Sequence, residues 1–248
     1  MKIINKVRSL PGIWVFVLAI GIALGGYFVG DGIYRASTVR TVTVKGLAER
    51  DVVADTAVWN IKINGVGGDL SALQKSIDND ITEIYRFLMD SGFAASDIQN
   101  LRVQVRDKYA GYSDAELKGA KNDGRYVIET GVMVRSHDVS LVDRVSRRMG
   151  ELVRRGITIT EDYAGPIYIF NGLNDIKISM IEQATQNATA AGEQFARDAH
   201  AKLGRIKTAN QGVFSIESRD PIDTWSSNER QAINKKVRVV STITFYLK

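Results

Sequence analysis

Hydrophobic and polar residues alternate along this chain with two different periods, and the change from one period to the other repeats. Stretches in which every second residue is apolar predict half-buried strands, and they lie at residues 40–45, 52–64, 98–107, 125–135, 157–163, 166–170, 206–217 and 236–247. Stretches in which apolar residues recur every three or four positions predict helices with one buried face, and they lie between Asp69 and Gly92, at 138–155 and at 174–203.

The faces of these elements predict a core. Trp59 alternates with Ile61 and Ile63, so all three are assigned to the buried side of the second strand. The strand at 98–107 is expected to turn Leu101, Val103 and Val105 inward. The helix after Asp69, its candidate N-cap, buries Leu70, Leu73, Ile77, Ile81, Ile84 and Leu88. The longest helix is expected to lie close to its neighbour through Ile176, Met180, Ala184, Ala188, Ala191, Phe195, Ala199 and Leu203.

The order of the elements predicts the fold class. Strand pairs alternate with helices in the order ββ-α-ββ-α-ββ-α-ββ, after an N-terminal apolar segment. Hairpin-like pairs give mainly antiparallel sheets, so the body is expected to be α+β. We interpret residues 39–248 as one compact body, of one or two lobes, rather than as separate domains.

The N-terminal segment predicts a membrane anchor. Residues 9–30 carry no formal charge, and as a helix they would extend about 33 Å, enough to cross a hydrocarbon core of about 30 Å. Trp14 and Tyr27 would lie at its two interfaces. Basic residues in the cytoplasmic stretch 1–8 orient the body outward, with 31–38 as a connector. The expectation is therefore a single-pass protein of a bacterial inner membrane with its body in the periplasm.

Two features of this segment leave alternatives open. Small residues between positions 19 and 25 would also fit a cleaved signal peptide, although no A-x-A site is present and the apolar run continues beyond them. Two G-x-x-x-G spacings allow close association of membrane helices and favour a homo-oligomer, although glycine is also common in such helices; they are formed by Gly21, Gly25, Gly26 and Gly30.

Composition excludes several classes of site. Among the 248 residues there is no cysteine and there are two histidines, so disulfides, Cys-ligated metals and three-His metal sites are excluded. The formal net charge is +5, but a large share of it lies before residue 36, and the nearly neutral body predicts no nucleic-acid binding.

Several motifs, together with the element order, resemble one family. The stretches Val42–Gly46 and Ala54–Ala57, the helix end at Ser91–Phe93, the transition Lys202–Ile206 and the last strand at Val237–Leu247 are similar to SIMPL-domain proteins over about residues 40–248. The resemblance implies an exported bacterial envelope protein, a link to oxidative-stress tolerance and, in at least one member, a ring-shaped oligomer. It supplies no catalytic residues.

No motif predicts catalysis, a cofactor or a metal. Gly65–Gly68 follows a strand and precedes a helix, but it lacks the third glycine and the lysine of phosphate-binding loops. His137 and Asp138 are adjacent at a helix start, where capping explains them better than acid–base chemistry does. His200 is expected to face solvent. Asp55 could bind a ligand, although closing a turn is the simpler interpretation.

Two polar loops are candidates for subunit contact. Residues 109–124 contain Tyr109 and Tyr112, and residues 218–235 contain Trp225. Aromatic side chains in polar loops are typical of interfaces, although Trp225 could also fold back onto its own body.

The leading hypothesis is a non-enzymatic envelope protein that self-assembles into a ring or cage, in contact with membrane lipid and active in stress tolerance. The alternative is a tethered periplasmic module that binds a small-molecule ligand, whose identity the sequence leaves unknown, or that assists another membrane protein.

Overall fold

A computed structural model gives the architecture of the chain. It describes the backbone of residues 11–37, 39–112, 124–160, 165–220 and 229–248, and in the first of these ranges it describes the side chains of residues 16–31. These residues divide into two compact units. The first unit comprises the chain up to Leu47 together with Gln183–Gly212 and Val240–Lys248, and the second comprises Ala48–Glu182 and Val213–Val239.

Helices and strands alternate in groups along the described residues. The helices are α1 (Pro11–Ser37), α2 (Leu70–Asp90), α3 (Val139–Ser146), α4 (Gly150–Arg154) and α5 (Leu173–Asp198). The strands are β1 (Thr41–Val53), β2 (Thr56–Gly67), β3 (Ile98–Asn100), β4 (Gln104–Asp107), β5 (Tyr126–Ser136), β6 (Ile159–Thr160), β7 (Ile167–Ile169), β8 (Leu203–Gln211), β9 (Ser215–Ser218) and β10 (Asn234–Leu247).

The predicted anchor forms a helix whose bounds differ from the predicted ones. Residues 16–30 of α1 are exposed on every side, and Phe16, Leu18 and Phe28 expose 73%, 65% and 69% of their surface. The part of the chain that the structure describes contains no helix that is both long and apolar enough to cross a membrane. The prediction of a transmembrane helix at 9–30 is therefore not supported by the structure.

The second unit is built on a six-stranded sheet. Its strand order is β3-β5-β2-β6, with β4 also paired to β5 and β7 also paired to β2. Every pairing in this sheet is antiparallel, and β2 and β5 match over their whole length, from Ala57 opposite Ser136 to Gly67 opposite Tyr126. The predicted α+β class with antiparallel strands is confirmed here.

One face of this sheet is covered by helices, and the main core lies there. Trp59, Ile61 and Ile63 of β2 are 3%, 0% and 1% exposed, as their alternation predicts. α2 covers them with large side chains spaced for one helical face. The buried residues of α2 are Leu73, Ile77, Ile84, Phe87 and Leu88.

In the first unit a helix also packs against strands, and here the backbones of the helix and the strand approach each other closely. In this unit β10 pairs antiparallel with β8, from Ser241 opposite Gln211 to Leu247 opposite Leu203. The side of α5 that is buried carries small residues at intervals of four, namely Ala184, Ala188, Gly192 and Ala196. Of these residues, Ala188 forms a small core with Val44, Ile243 and Phe245.

Gly46 marks the closest approach in that unit. A Cβ at this position would collide with the carbonyl oxygen of Ala184 and lie 2.5 Å from the backbone nitrogen of Ala188. Asn187 continues the contact by donating from Nδ2 to the carbonyl of Leu47 at 2.7 Å. Gly46 was predicted to end the first strand, but β1 continues through it to Val53, because the glycine serves packing rather than a turn.

The strand predictions need three further corrections. The predicted strand at 98–107 is two strands, β3 and β4, separated at Leu101–Val103. Val103 and Val105 are 47% and 52% exposed rather than buried. Val103 lies between the two strands, and Val105 belongs to β4, which lies at the sheet edge and pairs only with β5 among the described residues. The predicted strand at 206–217 is likewise divided into β8 and β9, so the element order differs from the predicted alternation.

The helix predictions differ at their ends and in one face. The predicted helix at 138–155 is divided by a turn into α3 and α4. α5 ends at Asp198 instead of extending to Leu203, and His200 follows it with φ of 52°. Phe195 is 60% exposed, because the buried line of α5 advances by four residues from Met180 and passes through Ala196.

Candidate functional site

The outer face of the six-stranded sheet carries a cleft of about 450 Å³. All of its lining residues belong to the second unit. Six of its eight lining residues are polar or charged, and the lining consists of Lys62, Ile63, Leu101, Arg102, Gln104, Glu129, Thr130 and Thr160. The cleft is therefore formed across β6, β2, β5 and the sheet edge that carries β3 and β4, rather than by a loop.

Strand register explains why these side chains converge. Lys62 of β2 stands opposite Gly131 of β5 on one side and opposite Thr160 of β6 on the other. Directly opposed residues in a sheet project to the same face, so Lys62 and Thr160 share the face of Gly131. Glu129 lies two residues from Gly131 and projects to that face as well, beside Gln104, with which it pairs.

A shift in strand register places Arg102 beside the residues Lys62, Gly131 and Thr160. Asn100 pairs with Val132, whereas Gln104 pairs with Glu129, so the edge strand contains one more residue than β5 over this interval. Such a bulge bends the strand and re-aims the side chains in it. The Leu101 amide donates to the Gly131 carbonyl at 2.9 Å, and this bond fixes the bulge over the cleft.

Gly131 leaves the centre of the cleft open. It contributes no side chain to the row that Lys62 and Thr160 occupy. A Cβ on Gly131 would collide with the carbonyl oxygen of Ile61 and lie 2.9 Å from the Cα of Lys62. The close approach of β2 and β5 therefore requires glycine at this position, and the absence of a side chain creates space.

The charges around the cleft are of both signs. Lys62 and Arg102 are cationic and Glu129 is anionic. Glu129 receives a hydrogen bond from Arg106 at 3.5 Å, and 48% of its side chain is exposed. No hydrogen bond or ion pair of the Arg102 guanidinium is found within the described ranges, where it lies exposed in the bulge. The arrangement has one end rich in positive charge and one end with a carboxylate and an amide.

Asp55 forms a separate junction in the second unit. Its carboxylate accepts from the backbone amides of Asn171 and Gly172 at 2.7 and 3.1 Å and from the Asn171 Nδ2 and Thr56 hydroxyl groups at 2.8 and 2.9 Å. Partial burial opposes ionisation, but these hydrogen bonds together lower the pKa of Asp55. The sequence interpretation of Asp55 as a turn-closing residue agrees with this geometry.

Neither histidine belongs to the lining of the cleft. His137 Nδ1 donates to the carbonyl oxygen of Asp55 at 3.0 Å, while Asp138 caps α3 by accepting from the Leu141 amide at 2.9 Å, as predicted. His200 is exposed. The described residues hold no group of three or more histidine or acidic side chains that could bind a metal ion.

The structure describes Tyr27 of the predicted anchor and Tyr109 and Tyr112 of the predicted contact residues. Tyr27 is 70% exposed and meets Phe28 edge to face, with ring centroids 6.0 Å apart. Tyr112 is 60% exposed, and its amide donates to the Tyr109 carbonyl at 3.1 Å. The side chain of Trp14 and the whole of Trp225 lie outside the described residues.

The four glycines of the predicted anchor have open surroundings. A Cβ at any of them would have no described heavy atom within 4 Å outside its own helix; they are Gly21, Gly25, Gly26 and Gly30. The predicted use of these glycines for association therefore stays a prediction.

Sequence reasoning missed the cleft altogether. None of Lys62, Arg102, Gln104 and Thr160 belongs to a motif, and they become neighbours only through strand pairing. One local signal was available, because an isolated glycine inside a strand, here Gly131, indicates a bulge or a close backbone approach. That signal gives a location without naming its partners.

Comparison with known proteins identifies the family. No curated protein matches the chain. The model of the family SIMPL, described as a protein of unknown function (DUF541), matches residues 42–245. This range covers most of the chain and agrees with the resemblance seen in its motifs. Membership supports at most an accessory or binding module of periplasmic type. The chain belongs to the SIMPL family.

Proposed function

We propose that this protein is an accessory module of the bacterial envelope that binds a small molecule in the cleft of its six-stranded sheet. The observation that supports this proposal is the cleft itself. Its polar groups converge from four strand lines, and side chains held by strands are positioned more precisely than side chains on loops. A concave site with a few converging polar groups is the usual form of a ligand site.

The proposed action is binding without catalysis. His137 lies beside Asp55, but its Nδ1 donates a hydrogen bond to the carbonyl oxygen of that residue. The carboxylate of Asp55 accepts four hydrogen bonds, and the three from Asn171 and Gly172 tie the start of β2 to the start of α5. Both groups are thus engaged in holding the fold, which supports a role outside proton transfer.

The envelope location and the lipid contact are part of the same proposal. Family membership supports a periplasmic body. The apolar surface of residues 16–30, exposed on every side, supports contact between α1 and lipid or another apolar partner, since an exposed apolar surface of this size is unfavourable in water.

Blocking the cleft tests the proposed function. We would purify the full-length chain in mild detergent and screen a library of small polar metabolites by calorimetry. Gln104→Trp places a large ring over the cleft from an exposed position on β4, so the binding of any cleft ligand should be abolished. Gln211→Trp is the matched control, because Gln211 is also an exposed strand glutamine but lies in the first unit. Equal binding by both variants and the wild type would contradict the proposal.

A second candidate function is self-assembly into a ring- or cage-like homo-oligomer that acts in stress tolerance. The observation that favours it is the exposure of β8, in which residues 205–211 are all exposed. Among the described residues β8 pairs only with β10, so one edge of the strand is available to a second copy.

The particle mass of the full-length protein in mild detergent tests assembly. A closed oligomer should be seen by light scattering, and Ala209→Glu on β8 should dissociate it by placing charge along the pairing edge. Val213→Glu is the control, because Val213 is 93% exposed and follows the strand. A monomeric wild type would exclude this candidate, and an oligomer unaffected by Ala209→Glu would exclude β8 as its interface.

A further inference from the structure

We propose that the basic end of the first unit binds the anionic headgroups of a lipid membrane. The basic end is formed by Arg40, Lys202, Arg205 and Lys207, at the end of the sheet to which α1 leads. This inference rests on the part of the proposed function that brings α1 into contact with lipid, and it does not depend on the cleft. Three observations carry it: the division of charge between the units, the convergence of the cations, and their position after α1.

Charge is divided unequally between the two units. From residue 39 onward, the first unit contains seven basic and two acidic residues, whereas the second contains 22 basic and 25 acidic residues. Both of these acidic residues of the first unit lie on α5. Glu193 forms an ion pair with Arg197 at 3.9 Å, and Asp198 accepts from Gln194 at 3.0 Å. An excess of cations on one unit attracts an anionic surface to that unit.

Backbone pairing brings cations from two sides to one end of the sheet. The Leu247 amide donates to the Arg40 carbonyl at 2.9 Å. Lys202 and Lys248 exchange both of their backbone hydrogen bonds, at 2.8 and 2.9 Å. Arg40 and Lys202 therefore lie on either side of the last residues of β10, with about 10 Å between their backbones at two strand spacings. Lys248 is not counted as a cation, because a carboxylate at the chain end would offset its charge.

Arg205 and Lys207 extend the basic end along β8. All four of its side chains are exposed, and within the described part of the chain none of them forms an ion pair or a hydrogen bond with an acidic group. The Lys207 ammonium group lies 5.9 Å from the centre of the Tyr246 ring, a contact that leaves its charge uncompensated. The basic end therefore presents positive charge to its surroundings.

The chain reaches the basic end directly from α1. α1 ends at Ser37, and Arg40 follows three residues later, so at most about 11 Å of backbone separates them. An apolar segment with cations beside it binds membranes through two contributions, the burial of apolar surface and the attraction to anionic headgroups. Tyr246, 37% exposed, suits the same boundary because its ring is apolar and its hydroxyl group is polar. The cations lie where headgroups are met when α1 contacts lipid.

Competition between two kinds of lipid vesicle tests the inference. The full-length chain is diluted from mild detergent into a mixture of phosphatidylcholine vesicles and vesicles of phosphatidylcholine with an equal amount of phosphatidylglycerol. One kind is filled with sucrose, so that sedimentation separates the two. The ratio of protein on anionic vesicles to protein on neutral vesicles should exceed one and should fall with added salt, which screens exposed charges. Arg40→Gln and Lys202→Gln should each lower the ratio by about fivefold, the value of one cation near such a surface.

Matched variants separate the possible failures. Lys75→Gln removes an exposed cation of the second unit and should leave the ratio unchanged. Arg40→Lys should also keep the ratio, because attraction to headgroups depends on the charge. If the protein binds both kinds of vesicle equally, lipid contact by α1 stands but the inference is wrong. If Arg40→Gln and Lys202→Gln have no more effect than Lys75→Gln, the inference is also wrong. If the protein binds neither kind of vesicle, the proposed lipid contact fails together with it.

Two further outcomes would assign the basic end to another partner. If glycerol 3-phosphate releases the protein from anionic vesicles and sodium chloride at the same ionic strength does not, the basic end binds a soluble phosphate. If Arg40→Gln lowers the particle mass in detergent without vesicles, the basic end contacts a second copy of the chain. Either result would overturn the inference.

Discussion

The two units place a helix on a sheet in opposite ways. In the second unit α2 covers β2 with large side chains such as Ile84 and Leu88, both 0% exposed. In the first unit α5 presents alanine and glycine, and its backbone approaches Gly46 so closely that a single methyl group has no space. One contact gains its stability from buried apolar area, and the other depends on the absence of side chains. The two contacts should therefore fail under opposite substitutions.

Removing side-chain volume should cost most at α2. Leu88→Ala is expected to destabilise the protein by about 4 kcal/mol, because it loses buried apolar surface and leaves a cavity. Urea unfolding followed by circular dichroism measures this change. Met89→Ala is the neighbouring control, since Met89 is 51% exposed and should lose far less. Equal losses for the two variants would contradict the contrast between the units.

Adding one methyl group should cost nearly as much at β1. Gly46→Ala is expected to destabilise the protein by about 3 kcal/mol, because its Cβ meets backbone atoms that cannot move aside cheaply. The same unfolding experiment applies.

Gly192→Ala tests whether backbone contact is the cause. Its Cβ would lie 3.2 Å from Leu203 Cδ1 and 3.3 Å from Phe245 Cδ2, which are ends of side chains that can adjust. The expected change is below about 1 kcal/mol, since alanine also favours the helix. If Gly192→Ala were as damaging as Gly46→Ala, close backbone approach would not be the explanation.

Acid should weaken the second unit through Asp55. Its pKa is lowered below the ordinary 3.8 in the folded chain, so its contribution is present above that value and is lost as the pH falls through the lowered pKa. Asp55→Asn is expected to cost about 2 kcal/mol at pH 7, because a charged acceptor of several hydrogen bonds is lost. The difference between wild type and variant should shrink below pH 3.8, as measured by urea unfolding at each pH.

The smallest expected effect is at the start of α2. Asp69 Oδ1 accepts from the Ala72 amide at 2.8 Å, and Asp69→Ala should cost about 1 kcal/mol. Asp90→Ala at the other end of α2 is the control, because an acidic residue near a helix C-terminus is not favoured by the helix dipole. A larger loss at Asp90 than at Asp69 would show that this cap contributes little.

The sequence predicted the second unit better than the first. The apolar residues of α2 and β2 are large and recur with one period, so their burial follows from their spacing. In α5 the buried line consists of small residues, which differ little in hydropathy from exposed positions. Phe195 was therefore assigned to the core, whereas the buried positions on this side of α5 are Gly192 and Ala196. Gly46 was assigned to the end of the first strand, because a sequence does not show that a glycine faces a helix backbone.

The cleft could not be predicted for a different reason. Its residues are distant in sequence, and the pairing of Lys62 with Gly131 and Thr160 depends on the register of three strands. The one-residue step that places Arg102 over the cleft is set by the ladder on both sides of it. Local composition contains no information on such a step.

The end of α5 restricts how this family can vary. His200 adopts φ of 52° directly after the helix, and the Ala201 amide donates back to the Ala196 carbonyl at 2.9 Å, which is the arrangement that usually selects glycine. Relatives that keep this helix end should carry glycine, asparagine or aspartate at the equivalent position far more often than valine or isoleucine. Substitution there is governed by backbone geometry rather than by any role of the imidazole, so exchange of the histidine between relatives would be no sign of altered function.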